Sequence, residues 1–238
     1  MLALAACQHD IADTDGAFFH FDDRRVHCAV DIDSSTYNGE GSIDTGLDRA
    51  LDRGEVVELF AHHPGVTVPV STIEHVLSGV QDRGLRFLTY SDLATAQPGA
   101  GILLSFDDAW VDSWTALRPL FAKYHARVTF FIAYYPHYSD SMKAELAQLA
   151  ADGHDVEAHS IAHRRAPEYV EARGLQTYLD EEVLPSITLL ENDGYPITTF
   201  AYPFGARTDE TDRAILDHVS YIRSVAFTWS GVADPCPY

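Results

Sequence analysis

The chain has 238 residues, 46% of them hydrophobic, which is enough to bury one large core or to build a single α/β barrel. Its formal charge of −20, from 36 acidic against 16 basic residues, argues against nucleic acid as a partner, and no apolar run reaches the length of a membrane-spanning helix. Residues 8–23 are polar and Asp-rich and read as an arm. Val26, Cys28, Val30 and Ile32 alternate over 24–33, the pattern of a strand that ends in Asp31 and Asp33. A helix is predicted over 42–53, with Ile43, Leu47 and Leu51 on one face, and a strand over 55–61 that ends in His62-His63-Pro64-Gly65. A second helix over 70–83, with Ser71 as its cap, leads to a short apolar piece at 85–88 and a linker through Pro98 and Gly99. From Gly101 the pattern is strand 101–105, helix 111–124, strand 127–133, helix 140–151, strand 154–158, helix 168–193, strand 196–202, helix 208–218 and strand 221–228. Such alternation predicts a mostly parallel sheet, with enough units for a barrel.

The chemistry begins where the apolar run Ile102-Leu103-Leu104 leads into Asp107 and Asp108. Two adjacent carboxylates at the end of a buried strand resist joint ionisation unless a cation or a proton intervenes. Taken alone, the pair equally suits a cap on the helix that starts near Val111. A later strand runs into His159 and His163. Histidines four apart share one face of a helical turn and can aim both rings at one ion. With a carboxylate from another strand end they make a two-His, one-carboxylate set that leaves coordination positions open.

Ser105-Phe106-Asp107-Asp108, His159-Ser160-Ile161-Ala162-His163 and Ala201-Tyr202-Pro203-Phe204-Gly205 resemble, in order, the first three motifs of the NodB-type polysaccharide deacetylases, carbohydrate esterase family 4. The third, with Phe200 before it, resembles the branch that acts on poly-N-acetylglucosamine. The resemblance implies a distorted (β/α)7-type barrel and hydrolysis of N-acetyl, less often O-acetyl, groups of a sugar polymer with zinc or another divalent metal such as cobalt. It implies that Asp108, His159 and His163 hold the metal and that Asp107 is the general base toward water. It also implies that the backbone N–H of Phe204, in a turn shared with Tyr202, Pro203 and Gly205, faces the oxyanion and substrate. Ala201 stands where the family commonly has Arg, the usual partner of the base.

The order of the remaining motifs differs from the family's usual one. A strand ending in Leu-x-His, followed by a helix and Gly-Leu-x-Phe-x-Thr, ordinarily closes the domain; here Glu55 to Asp92 fits that description and precedes the Asp-Asp strand. The expectation is a circularly permuted barrel over 24–238, in which 24–98 supplies the last strand units and 101–228 the first five. The alternative is a separate N-terminal domain beside an incomplete barrel, which would leave strand edges open. By the same resemblance His62 protonates the leaving group, with His63 as competitor, and Asp31 or Asp33 orients it, although no family-like Trp follows.

Leu4-Ala5-Ala6-Cys7 resembles a bacterial lipobox in a truncated signal, so the arm 1–23 points to an exported, periplasmic or envelope-associated lipoprotein anchored through Cys7. Cys28 and Cys236 are then free to form a disulfide. The acidic surface suits solubility, a salty habitat, or a polymer that turns cationic as its amines are uncovered. Trp110, Trp114, Trp229 and the loop Tyr134-Tyr135-Pro136-His137-Tyr138 are candidates for a sugar groove or for ordinary packing. Two other functions stay open: a small-molecule C–N hydrolase of the same fold, and a carbohydrate-binding relative without turnover. A monomer is expected.

Overall fold

The computed structural model describes residues 10–36 and 38–226. In chain order these are β1 (Phe18–Phe19), β2 (Val26–Asp31), α1 (Glu40–Arg53), β3 (Val56–Ala61), α2 (Val70–Asp82), β4 (Arg86–Leu88), β5 (Gly101–Asp108), α3 (Val111–Ala116) and α4 (Arg118–Lys123). Then come β6 (Thr129–Ile132), α5 (Asp140–Ala151), β7 (Asp155–Ala158), α6 (Ala166–Arg173), α7 (Leu175–Tyr178), α8 (Leu184–Asn192), β8 (Thr199–Ala201), α9 (Asp209–Ile215) and β9 (Tyr221–Val225).

Seven parallel strands form a closed barrel in the order β3-β2-β9-β8-β7-β6-β5, and β5 returns to β3 along six register pairs from Val56↔Gly101 to Ala61↔Phe106. β1 runs antiparallel to the start of β3, and β4 lies parallel to the start of β5. The strands from the first part of the chain therefore close the same barrel as those that follow Gly101. No open edge is left at β5 or β9, because β9 pairs with β2 from Val26↔Ile222 to Ala29↔Val225.

Alternation along each strand separates two cores. Ile102, Leu104 and Phe106 of β5 face the helices and join Phe130, Ile132, Phe200 and Ile222 in the main core. Leu103 faces inward with Phe131, Ala201 and Tyr90. The inward set is also polar: His27, Glu58, Thr129, Glu157 and Arg223 are all essentially inaccessible. Burial on that scale requires partners. Glu58 accepts from His27 Nδ1 at 2.9 Å and from the Tyr90 hydroxyl at 2.9 Å, and Glu157 accepts the backbone N–H groups of Thr198 and Thr199.

Several elements depart from the sequence reading for local reasons. The helix expected over 111–124 breaks at Leu117, where Pro119 enters the first turn of α4. The helix expected over 168–193 is three helices: Gly174, at φ 89, ends α6, and a π-helical turn over Leu179–Val183 separates α7 from α8. Ser71 does not cap α2, whose cap position is Pro69. The strand expected over 196–202 is confined to Thr199–Ala201. Cys28 is in a disulfide, whereas Cys7, Trp229 and Cys236 lie outside the described residues.

Candidate active site

Every residue singled out for chemistry lies at the end of the barrel where the strands terminate. Inward alternation on β5 places Asp107 inside the rim, and Asp108, at φ 86, leaves strand geometry and carries its carboxylate over it. The pair does not cap α3, whose cap is Trp110 with no side-chain bond.

His159 and His163 follow β7 in a loop rather than on a helical turn, which corrects the expectation from their spacing. Ser160 at φ 66 and His163 at φ 55 reverse the chain, and the Ser160 hydroxyl accepts the His163 N–H at 3.0 Å. The loop is tied down from outside. Glu182, buried in the π-helical turn, accepts the Ala162 N–H on Oε2 at 2.8 Å and the Ile161 N–H on its backbone carbonyl at 3.2 Å. Turns of this kind often mark functional positions.

The two Nε2 atoms end 3.2 Å apart, and Asp108 Oδ1 lies 3.2 Å from that of His163 and 3.8 Å from that of His159. Asp108 Oδ1 is buried and lacks a hydrogen-bond partner among the described residues. His159 donates Nδ1–H to the Ala201 carbonyl at 2.9 Å, which leaves the Nε2 lone pair facing the gap. Burial holds His159 well below the usual imidazole range and lowers His163 as well, which favours the neutral form of both rings. Two imidazole nitrogens and a carboxylate oxygen, all within 4.8 Å of one another, fit a divalent cation.

Asp107 is buried beside this set. Burial raises its pKa, opposed by the charges of Arg223 and His62. Arg223, in the middle of β9 and equally buried, donates Nη2–H to Asp107 Oδ2. Its guanidinium carbon lies 4.8 Å from the ring centre of Phe60 and 4.9 Å from that of Phe131. Arg223 is the register partner of Ala201. The cation missing from motif three thus comes from the neighbouring strand at the same level of the barrel. The sequence reading passed over Arg223. Its one signal was a charged residue inside Tyr-Ile-Arg-Ser-Val, a strand apolar on both sides, where an Arg needs a buried anion.

Of the two adjacent histidines after β3, His62 enters the site. Its Nδ1–H donates to Asp33 Oδ2 at 2.7 Å, its backbone N–H to Asp33 Oδ1 at 3.2 Å, and its carbonyl accepts the indole N–H of buried Trp114 at 3.1 Å. Burial alone would lower its pKa, but Asp33, Asp107 and Asp31 outweigh it and raise His62 to about 9. Asp31 accepts the Asp33 N–H at 2.8 Å, and burial next to the Asp33 carboxylate raises it to about 6. Asp31, Asp33 and His62 also converge as potential metal ligands, but the Nδ1–H already committed to Asp33 suits a proton donor better than a ligand. His63 turns away: its Nε2 is hydrogen-bonded to Ser113 Oγ at 3.0 Å and its ring stacks on Trp110.

Most of the motif-three turn is buried. Tyr202, Pro203 and Gly205 are buried, and Tyr202 packs edge-on against Phe200, so no Tyr202 side chain faces the mouth. Phe204 alone is exposed, at φ 60, with its ring 4.6 Å from that of His163. Gly205 is required: at φ 63, a Cβ there would come within 2.4 Å of Val225 Cγ2 and 3.0 Å of the Val225 backbone nitrogen.

A closed barrel of parallel strands with acids and imidazoles gathered at one mouth is the NodB-type (β/α)7 fold. The chain belongs to the polysaccharide deacetylase family, whose sequence profile matches residues 94–220, more than half of its length. It is 27% identical over 160 residues to YxkH of Bacillus subtilis (strain 168), assigned to the polysaccharide deacetylases, covering 62% of this chain and 54% of that protein. The chain thus spans about half the length of the curated relative it matches. Among solved structures, IcaB from Ammonifex degensii superposes with a TM-score of 0.60 at 18% identity, over 76% of this chain and 86% of that one. The BpsB deacetylase domain from Bordetella bronchiseptica gives 0.54 at 15% identity, over 89% and 96%.

Proposed function

We propose that this chain is a metal-dependent deacetylase of an N-acetylated, less readily O-acetylated, polysaccharide, exported from the cell and related to the poly-N-acetylglucosamine branch. The observation that carries the reading is the convergence of Asp108, His159 and His163 beside a buried Asp107–Arg223 pair, with Asp33–His62 from β2 and β3 brought to the same mouth. Asp108, His159 and His163 would hold zinc or cobalt, which supplies Lewis acidity toward water and the acetyl carbonyl.

The protein's own groups do the proton work. Asp107, oriented by Arg223, takes a proton from the attacking water. The Phe204 N–H donates to the oxygen that gains charge as the carbonyl is attacked. His62, protonated up to about pH 9 and steered by Asp33, hands its proton to the departing nitrogen. Arg223 supplies the base with the cation that Ala201 does not, which favours an enzyme over a silent binding relative. We also read the strand order as a circular permutation, because β2 and β3 occupy the places between β9 and β5 that a family member's last strands would fill. The Cys28 disulfide supports an oxidising, extracytoplasmic location.

The test is acetate release from partly acetylated glucosamine polymers and from acetylated xylan, with zinc or cobalt, comparing the native chain with Asp108→Ala. Release by the native chain alone supports the proposal, and the preferred polymer identifies the substrate. Metal binding without acetate from either polymer refutes it in favour of a small-molecule hydrolase.

A further inference from the structure

Arg223 has a register partner on each side in the barrel wall, and residues paired in register turn their side chains to the same face. On β8 the partner is Ala201, and on β2 it is His27. His27 and Arg223 are both enclosed, at 0% and 1% exposure, and each carries one nitrogen without a hydrogen-bond partner among the described residues, His27 Nε2 and Arg223 Nε. Native proteins rarely leave such atoms unpaired in the interior. The other ring nitrogen of His27 is committed: Nδ1–H donates to Glu58 Oε1 at 2.9 Å, and Glu58 Oε2 accepts from the Tyr90 hydroxyl at 2.9 Å. Burial, with the Glu58 charge beside it, raises Tyr90 well above the usual phenol range. The hydroxyl therefore keeps its proton, and Glu58 is the acceptor in both bonds.

These bonds set the polarity of the imidazole. With the Nδ1 proton directed at Glu58, the neutral ring presents a lone pair at Nε2, whereas Arg223 Nε is always a donor. A donor and an acceptor thus stand on adjacent strands at the same level of the barrel, both enclosed and not bonded to each other. One water molecule satisfies both, accepting from Arg223 Nε–H and donating to His27 Nε2. The guanidinium needs a restraint at that end. The rings of Phe60 and Phe131, 4.8 Å and 4.9 Å from its central carbon, hold its plane but not its place within the plane. Asp107 is the group to be held, so its bond to Nη2 is no independent anchor. We infer that His27 and Glu58 are positioning residues that act through an enclosed water on Arg223, and through Arg223 on the base Asp107. This inference rests on the deacetylase reading above and extends its machinery into the interior of the barrel.

The experiment is a double-mutant cycle, read as acetate release from partly acetylated glucosamine polymer by the cobalt-loaded chain. Glu58→Gln keeps the shape and the Tyr90 bond but offers an amide N–H to His27 Nδ1, which moves the imidazole proton to Nε2 and turns a second donor toward Arg223. In the native background it should lower kcat about tenfold, the scale of a slightly displaced base, with KM changed less than about twofold. His27→Gln, which carries both an N–H and a carbonyl oxygen, should retain more activity than His27→Phe. In Arg223→Lys, which keeps the charge but has no Nε–H, Glu58→Gln should cause no further loss, since a role exerted through Arg223 has nothing left to act on. Equal losses in the two backgrounds overturn the inference while leaving the deacetylase reading intact. A crystal structure of the native chain gives a second reading that does not depend on the variants folding. A water within hydrogen-bond distance of both nitrogens is expected, and a His27 or Arg223 Nε bonded elsewhere overturns the proposal. A native chain that releases no acetate refutes the deacetylase reading, and the water then decides the link between His27 and Arg223 by itself.

Discussion

Arg223 and Asp107 come from strands at opposite ends of the second half of the chain and form a fully buried ion pair inside the barrel, directly across the register from Ala201. Removing the cation leaves a buried carboxylate uncompensated. Arg223→Met should cost about 3 kcal/mol of stability and lower kcat on the order of 100-fold through the mispositioned base. Arg223→Lys keeps the charge but not the plane held between Phe60 and Phe131 and should fall between the two. Urea unfolding and acetate-release kinetics read the two effects. Native-like kcat in folded Arg223→Met would remove Arg223 from the site's machinery.

His62 sets the alkaline limb. Because its pKa is raised to about 9, kcat/KM should hold across neutral pH and fall as pH climbs through that value and the donor loses its proton. The same shift contributes stability that is complete below the unfolded value of about 6.5 and is lost as pH rises through 9. Asp33→Asn removes the carboxylate that holds the charge and should move the limb toward neutral pH. A pH–rate profile whose limb stays in place in Asp33→Asn would contradict the assignment.

Glu182 is buried and holds two N–H groups of the loop that ends in His163, that of Ala162 with its carboxylate and that of Ile161 with its backbone carbonyl. Glu182→Ala should weaken cobalt binding about 10- to 100-fold, the range for supports of metal ligands. Glu182→Gln keeps an acceptor oxygen and should retain most of the affinity. Calorimetric titration of cobalt into the unloaded chain distinguishes the variants, and equal affinities in all three would deny the loop's dependence on the π-helical turn.

His154 gives the acid limb of stability. It packs against Phe121 and Phe130, accepts the Val128 N–H at 3.3 Å, and burial lowers it to about 4. The unfolded chain takes up its proton first as pH drops, so the contribution is present above pH ~6.5 and falls by about 3 kcal/mol on the way to 4. His154→Gln, which can still accept from Val128, should flatten the slope of urea midpoints between those pH values. An unaltered slope would place the acid sensitivity elsewhere.

The parts of the site legible in the sequence were those with local signatures. Asp107-Asp108 at the end of an apolar run, and the His159/His163 pair, could be read because strand ends and ligand types are written in consecutive residues. Arg223 could not, because its meaning lies in a register with Ala201 and a contact with a strand more than a hundred positions away. The choice between His62 and His63 depended on which of them the carboxylate that follows the neighbouring strand β2 would meet. The helical-turn expectation for His159 and His163 failed because Ser160 and His163 adopt positive φ, which residue spacing alone does not reveal. The long helix expected over 168–193 failed where Gly174 and the π-helical turn intervene, and that interruption is what delivers Glu182 to the loop between His159 and His163.

The position of β2 between β3 and β9 has a consequence for synthesis. The first barrel strand to leave the ribosome has one neighbour available early and must wait for the last, Tyr221–Val225, to gain the other. A nascent chain that stops short of Tyr221 holds Asp33, His62 and Asp107, yet lacks Arg223 and keeps β2 and β8 unzipped. Incomplete chains are thereby marked by open strand edges, which only the last five-residue strand closes.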